Sequence, residues 1–240
     1  VYKRQVYGYT MKNLLNNYQM KHLFKFSLCA LAFAMSANNG FAQSGETGLK
    51  DAYKDYFSIG VAVNMRNIAN PEQIAIIKKN FNSITAENDM KPQPTEPAYG
   101  QFNWENADKI ANFCRSNGIK LRGHCLMWHA QIGEWMYKDE KGDFVSKEKL
   151  FQNMKHHITA IVERYKDVIY AWDVVNEAIS DGGWQSGRRG MGEQPSPYRN
   201  SPLYQIAGDE FIKKAFIYAR EADPNVLLFY CLLYTSPSPR

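Results

Sequence analysis

Short apolar segments alternate along residues 43–230 with longer segments in which apolar residues recur at helical spacing. Residues 168–175 are β-branched and aromatic with little polar alternation, which is typical of a strand covered on both faces. Leu150, Met154 and Ile158 recur at four-residue intervals, as on the buried face of a helix. The pattern predicts strands at 57–63, 81–86, 119–126, 168–175 and 226–230, and main helices at about 72–80, 104–117, 146–165 and 207–221.

Alternating strands and helices predict an α/β fold with parallel strands and right-handed crossovers. Polar residues follow the predicted strands: Asn64 the first, Glu87 the second, His129 the third and Glu177 the fourth. A (β/α)8 TIM barrel collects its functional residues at these carboxyl ends. The alternative, a doubly wound open sheet, would be favoured by a glycine-rich turn after the first strand, where the sequence is VNMR. We expect a TIM barrel, of which this chain contains about the first four to five βα units.

Both ends of the chain resemble sequence foreign to a natural gene. Residues 1–5 (VYKRQ) can be encoded by DNA whose reverse complement, read in another frame, encodes CLLYT, the sequence at 231–235. Such an inverted pair is similar to the transposon ends used as sequencing-library adapters. We therefore expect residues 1–5 and 231–240 to be non-native and exclude them from the fold prediction.

Residues 20–42 have the layout of a secretory signal peptide. Met20 and a lysine-containing segment precede an apolar run at 26–35, and Ala42 ends a small-residue cleavage site. A membrane anchor is the alternative, but the run is short for spanning a bilayer. A lipoprotein is disfavoured because Cys29 is not preceded by a small residue. We expect a secreted or periplasmic protein with no membrane association after cleavage.

Setting the leader aside changes the interpretation of charge and cysteine content. The formal net charge is +5, but five of the 29 basic residues and none of the 24 acidic residues lie in residues 1–42. The remainder is balanced, so the basic composition does not predict nucleic acid binding. Outside the leader and the tail, the cysteines are Cys114 and Cys125. They are compatible with a disulfide or with two buried thiols.

Glu177 is the first candidate for chemistry, because an acid at the carboxyl end of a buried strand does not serve the core. Three segments resemble successive motifs of glycoside hydrolase family 10, the endo-1,4-β-xylanases: TAENDMKP at 85–92, RGHCLMWH at 122–129 and WDVVNEA at 172–178. The similarity runs from about residue 53 to residue 230. It identifies residues 43–230 as part of a family 10 catalytic domain.

The resemblance implies a retaining endo-1,4-β-xylanase that hydrolyses internal bonds of xylan by double displacement, and the signal-peptide layout implies that it is secreted. Cleaving a glycosidic bond requires one carboxyl group to protonate the leaving oxygen and a second to attack the sugar or activate water. By resemblance, Glu177 is the general acid/base. The family's nucleophilic Glu lies on the seventh strand, which residues 1–240 do not include, so we expect these residues alone to be inactive. Without the resemblance, Glu177 is also compatible with a salt bridge at a strand end.

The resemblance also assigns residues that bind the substrate. Asn176 would hydrogen-bond the 2-hydroxyl of the sugar at the cleavage point, and its alternative role is to cap the following turn. Trp128 would stack near a sugar or be a core aromatic. The other residues implied to bind sugar are Glu87, Asn88, Lys91 and His124, with His129 in a supporting role near the catalytic carboxylates. Outside the family context, Glu87 and Lys91 are equally compatible with a solvated ion pair.

No metal or other cofactor is expected. His124 and His129 flank Cys125, but a zinc helix motif has Glu where this chain has Cys125, and a strand end is the wrong context. His156 and His157 are expected at the surface of a helix. The expected partner is xylan or a xylo-oligosaccharide bound by a monomer, with no nucleic acid partner. The alternatives are a cellulase or mixed β-glucanase of the same barrel type, and a non-catalytic xylan-binding protein.

Overall fold

Five parallel strands form one sheet in which neighbours along the chain are also neighbours in space, in the order β1-β2-β3-β4-β5. The computed structural model describes residues 47–180 and 197–232. The strands are β1 Gly60–Val63, β2 Ser83–Ala86, β3 Lys120–Trp128, β4 Ile169–Asn176 and β5 Leu227–Cys231. This uninterrupted order matches a barrel and not a doubly wound sheet, in which the order reverses at a switch point.

One helix precedes β1, and the others lie between consecutive strands. In chain order, the helices are α1 Leu49–Ala52, α2 Met65–Ala69, α3 Pro71–Asn80, α4 Pro92–Thr95, α5 Glu105–Asn117, α6 Lys147–Tyr165, α7 Pro202–Ala207 and α8 Glu210–Ala222, with a 3-10 helix at Glu134–Met136. Side chains cap several of them: Asn70 accepts from the first turn of α3, and Ser146 accepts from Lys149 N in α6. Gly118, with φ of 62°, ends α5 as the sequence predicts.

The structure moves some of the predicted boundaries. β1 begins at Gly60, because Phe57 stacks on Tyr53 and remains 57% exposed instead of entering the sheet. The helix predicted at about 207–221 is α8, which begins at Glu210. A short helix that the pattern did not predict, α7, precedes it; Ser201 caps α7, and Gly208 separates it from α8. β5 extends through Cys231, the first residue of the segment expected to be non-native.

Cys114 and Cys125 are two buried thiols and not a disulfide. Burial raises the pKa of Cys114 to about 12 and also raises that of Cys125 well above its ordinary value. Both side chains are therefore neutral core residues.

The expectation that His156 and His157 lie at the surface of α6 is wrong for His157, which is completely buried, whereas His156 is partly exposed. Glu96, in the loop after α4, is completely buried and accepts hydrogen bonds from His157 Nδ1 at 2.8 Å and His156 Nε2 at 3.0 Å. Gly100 N donates to the same carboxylate at 2.8 Å. The loop covers the face of α6 that carries these two histidines, and it buries His157 completely while leaving 32% of the His156 side chain exposed. The Glu96 carboxylate thereby fastens the loop after β2 to the helix.

The sheet packs tightly around Trp172 of β4, which is fully buried. A Cβ built on Gly123 of β3 would overlap the Trp172 ring, whereas one built on Gly60 of β1 would meet Ser83 O at an ordinary 3.5 Å. Glycine at position 123 therefore allows the indole to lie against the backbone of the neighbouring strand.

Gly123→Ala is expected to lower the free energy of unfolding by about 1–3 kcal/mol, because the methyl group overpacks the core. Gly60→Ala is the matched control and should change stability little. Thermal or urea unfolding of the two variants tests this, and equal stabilities would show that Trp172 can move without cost.

No helix within residues 47–180 and 197–232 has the length and apolar character needed to cross a bilayer.

Candidate active site

The carboxyl ends of β2, β3 and β4 bring the predicted site residues to one edge of the sheet. Glu87 and Asn88 follow β2, and Lys91 immediately precedes α4. His124 and Trp128 belong to β3, and His129 follows it. Asn176 ends β4, and Glu177 is the next residue.

Glu177 is held in a conformation unusual for a non-glycine residue, with φ of 56°. Two contacts fix its backbone: its N–H donates to Cys231 O at 2.9 Å, and Arg199 Nε donates to its carbonyl at 3.0 Å. Arg199 N also donates to the carbonyl of the next residue, Ala178, at 2.7 Å. Trp128 Nε1 donates to Glu177 Oε2 at 3.0 Å. Backbone strain of this kind persists only where surrounding contacts impose it, and it concentrates at functional sites.

Trp128 connects Glu177 to the residues after β2. In the sheet it lies opposite Asn176, which is 5% exposed. The Lys91 ammonium lies 4.4 Å from the centre of the Trp128 ring. The His129 ring meets the same indole edge to face, with 6.0 Å between ring centres. One indole therefore contacts both the candidate acid and the candidate sugar-binding lysine.

Lys91 is 1% exposed, and its Nζ donates to Asn88 Oδ1 at 2.8 Å. Burial lowers the pKa of Lys91, and the charges of Glu87 and Glu177 oppose that shift. Asn88 Oδ1 also accepts from Gln131 Nε2 at 3.3 Å. The ammonium is therefore buried within the site and oriented by an amide.

Glu87 is fixed separately from Lys91. Its Oε2 accepts from Asn64 Nδ2 at 3.0 Å, and its N–H donates to Val63 O at 2.8 Å. Across the part of the chain that the structure describes, Glu87 and Lys91 are not within ion-pair distance of each other. Because Lys91 is buried, the interpretation of these two residues as a solvated ion pair is wrong.

A buried acid beneath His124 was not among the residues singled out from the sequence. Asp173 of β4 is 4% exposed, and its Oδ2 lies 3.0 Å from His124 Nδ1 and 3.2 Å from Arg122 Nε. Arg122 Nη2 donates to Asp173 Oδ1. Burial alone would raise the pKa of Asp173, but the hydrogen bonds from His124 and Arg122 outweigh it and lower that pKa. An ionised Asp173 thus orients the His124 ring.

The donor groups near Asp173 do not favour a metal ion. His124, Asp173 and Cys231 place ligand-type atoms within 4.8 Å of one another. However, the Asp173 carboxylate is bound by the Arg122 guanidinium. The pKa of Cys231 is also raised to about 11, mainly because the thiol is buried and secondly because the Asp173 charge is near. A metal would require the thiolate form and would have to lie beside a fixed cation.

The parallel strands in barrel order and an acid at the end of the fourth strand define the class: a (β/α)8-barrel glycoside hydrolase. The chain belongs to glycosyl hydrolase family 10, whose family model matches residues 48–232. The expected family and the TIM-barrel fold class are thereby confirmed.

Similar proteins include endo-1,4-β-xylanases. An endo-1,4-β-xylanase/feruloyl esterase of Xylanibacter ruminicola is 53% identical over 216 residues, covering 88% of this chain and 29% of that protein. A solved psychrophilic family 10 endo-β-1,4-xylanase is 67% identical with a TM-score of 0.72, covering 78% of this chain and 55% of the other. The intracellular xylanase TsXylA of Thermoanaerobacterium saccharolyticum, solved as a mutant in complex with xylotriose, is 36% identical with a TM-score of 0.70, covering 79% and 57%. The chain thus spans about half the length of these solved structures and less than a third of the Xylanibacter protein.

Proposed function

We propose that this chain is part of a retaining endo-1,4-β-xylanase in which Glu177 is the general acid/base. The observation that carries the proposal is the Trp128–Glu177 hydrogen bond of 3.0 Å, at an edge where Lys91, Asn88 and Glu87 also lie. Because the Trp128 indole donates to one carboxyl oxygen of Glu177, the other oxygen would be the one that protonates a glycosidic bond. The similarity to proteins named as xylanases supports xylan as the substrate.

In the proposed reaction, Glu177 donates its proton to the leaving glycosidic oxygen while a nucleophilic Glu attacks the anomeric carbon. The bond to the leaving chain breaks, and a glycosyl ester forms. Glu177, now a carboxylate, removes a proton from water, which attacks the anomeric carbon of the ester. The bond to the nucleophilic Glu breaks, its carboxylate is restored, and the sugar is released with retained configuration. We place the nucleophile on the seventh strand of the complete barrel, outside residues 1–240.

The remaining residues have binding roles in the proposal. Asn176 would hydrogen-bond the 2-hydroxyl of the sugar at the cleavage point, where such a contact strengthens in the transition state. Glu87, Asn88 and Lys91 would bind the next sugar, supported by their fixed orientations in the site. His124, held by Asp173, would contact the sugar, and His129 would support the carboxylates through Trp128.

The proposal is tested on a completed barrel. Residues 43–230 are joined to the carboxyl-terminal half of the 67% identical psychrophilic xylanase, and the product is assayed on xylan, cellulose and mixed-linkage β-glucan. We expect cleavage of xylan in preference to the glucans. Preference for cellulose or β-glucan would instead support the alternative glucanase, and binding without cleavage would support the non-catalytic alternative. Residues 1–240 alone should not sustain cleavage.

Trp128→Phe in the completed barrel is expected to lower kcat/KM on xylan about 10- to 100-fold, because hydrogen bonds to charged groups contribute about 1.5–3 kcal/mol. Phenylalanine keeps an aromatic ring near Lys91 but cannot donate to Glu177. Trp104→Phe, which alters an indole outside the site, is the control. A Trp128→Phe enzyme as active as its parent would show that the indole N–H has no role in catalysis.

We infer that the protein is exported and acts as a monomer. The signal-peptide layout of residues 20–42 supports export, and the balanced charge of the remaining chain gives no reason to expect a nucleic acid or membrane partner. Fusing residues 20–60 to a reporter that is active only after export tests the first inference. Light scattering of the completed barrel tests the second.

A further inference from the structure

A second cleft lies outside the Glu177 site, between the loop after α4, the loop after β3 and helix α6. Its volume is about 810 Å³, within the range of small-molecule sites. Tyr99 and Trp135 form its aromatic part, and Asn153 of α6 also lines it. The cleft is joined to the Glu177 edge through Gln131, whose carbonyl accepts from Gln93 N and whose side chain donates to Asn88.

Tyr99 provides an aromatic surface that is both exposed and braced. It is 53% exposed, yet its ring stacks on His156 with 4.5 Å between centres and meets Trp135 edge to face at 5.4 Å. Trp135 is itself fixed, because its Nε1 donates to Glu96 O at 2.9 Å. A ring that is already held loses little conformational freedom when a ligand packs against it.

The charges around the cleft balance, which indicates a neutral ligand. Its lining includes three lysines and three acids: Lys138, Lys141, Lys149, Glu134, Asp139 and Glu140. A phosphate-bearing ligand would require a net positive surface. A sugar chain instead offers hydroxyl donors and acceptors to both signs of charge, and its C–H faces pack on aromatic rings. Lys149 Nζ lies 5.3 Å from the centre of the Tyr99 ring, where it can bind a hydroxyl beside a stacked sugar.

Asn153 of α6 fixes the segment that carries Trp135 in the wall of this cleft. The residue is 1% exposed, and its Nδ2 donates to Trp135 O and Met136 O, each at 3.1 Å. Its Oδ1 accepts no hydrogen bond from the described residues. That oxygen is itself fully buried, so an enclosed water is its expected partner, and Asn153 serves the cleft by holding Trp135 in place.

We propose that this cleft binds a stretch of xylan away from the cleavage point, with a pyranose ring against Tyr99 and hydroxyls on Lys149. The inference rests on the proposed function, which supplies xylan as the polymer. Because only the short helix α4 separates Asn88 and Lys91 from the loop that carries Tyr99, a polymer held in the cleft remains close to the Glu177 site, which raises its effective concentration there.

The test uses the completed barrel with Glu177→Ala, so that xylan is bound and not consumed. Migration through gels containing soluble xylan gives an apparent Kd. Tyr99→Ala is expected to weaken it about tenfold, equivalent to ~1.4 kcal/mol. Tyr56→Ala removes a tyrosine that is 80% exposed and is not part of the cleft, and it should leave the Kd unchanged.

A second measurement distinguishes binding in this cleft from binding at the Glu177 site. An aryl xylobioside is too short to occupy both, so barrels with Glu177 intact should cleave it equally with Tyr99→Ala or Tyr56→Ala. Unchanged xylan retention by Tyr99→Ala, or a parallel loss of aryl xylobioside cleavage, would overturn the cleft assignment. A parent that cleaves no xylan but is retained through Tyr99 would overturn the proposed function and support the cleft.

Discussion

Glu177→Ala in the completed barrel is expected to lower the rate of xylan hydrolysis by about 10²- to 10⁴-fold, the usual contribution of general acid–base catalysis. Xylan has a poor leaving group, so it depends on the proton that Glu177 supplies. The phenolate of an aryl xyloside with an acidic phenol leaves without that proton, so formation of the glycosyl ester from this substrate should be much less affected. The comparison of the two substrates by steady-state and burst kinetics therefore separates loss of the acid from general damage to the site.

The same variant permits a rescue experiment. Once the glycosyl ester has formed, water cannot attack efficiently without the base, but azide needs no deprotonation and can enter the space vacated by the carboxylate. Added azide should therefore accelerate aryl xyloside turnover and give a β-glycosyl azide. Glu163→Ala, an exposed glutamate of α6, is the control and should behave as the parent. No rescue, together with an equal loss on both substrates, would count against Glu177 as acid/base.

Asp173→Ala is expected to lower the free energy of unfolding by about 3–5 kcal/mol, because removing one partner of a buried ion pair leaves the other uncompensated. The uncompensated group is Arg122, whose guanidinium binds the carboxylate through two nitrogens. His124 also loses the partner of its Nδ1, so KM for xylan should rise if that ring contacts sugar. Asp173→Asn keeps the shape and one acceptor oxygen and should lose less stability. Equal stabilities of parent and Asp173→Ala by denaturant unfolding would contradict this prediction.

Asp173 also predicts a pH dependence of stability. Its pKa is lowered in the folded state, so its stabilising contribution is fully present above the unfolded-state pKa of about 3.9 and is lost as pH falls through the folded-state value. The parent should therefore lose stability in acid more steeply than Asp173→Asn, and the two curves should converge at low pH. Melting temperatures measured from about pH 7 down to about pH 2 test the convergence.

Much of the fold could be predicted from periodicity and caps. The helix at α6 follows from apolar residues at helical spacing and the Ser146 cap, and the acid at the end of β4 follows from its place after a buried strand. Asp173 could also have been predicted to form a buried ion pair, because it is a charged residue inside an apolar strand and Arg122 lies in the preceding strand. Pro202 after Ser201 was a local signal for α7.

Other features depend on tertiary contacts that periodicity does not encode. The contact between Trp128 and Glu177 depends on a register shift between His124 and Met127 that places Trp128 opposite Asn176. The burial of His157 depends on Glu96, which a loop brings from 61 residues earlier in the chain. Helical spacing places a residue on one face of its helix, but it does not reveal which loop later covers that face.

The most direct test of the central claim is ¹H NMR of the completed barrel acting on xylohexaose. If Glu177 is the acid/base of a double-displacement xylanase, shorter xylo-oligosaccharides will appear with their new reducing ends in the β configuration and will then mutarotate. New ends that appear first as α anomers, or xylohexaose that remains intact, would contradict the account.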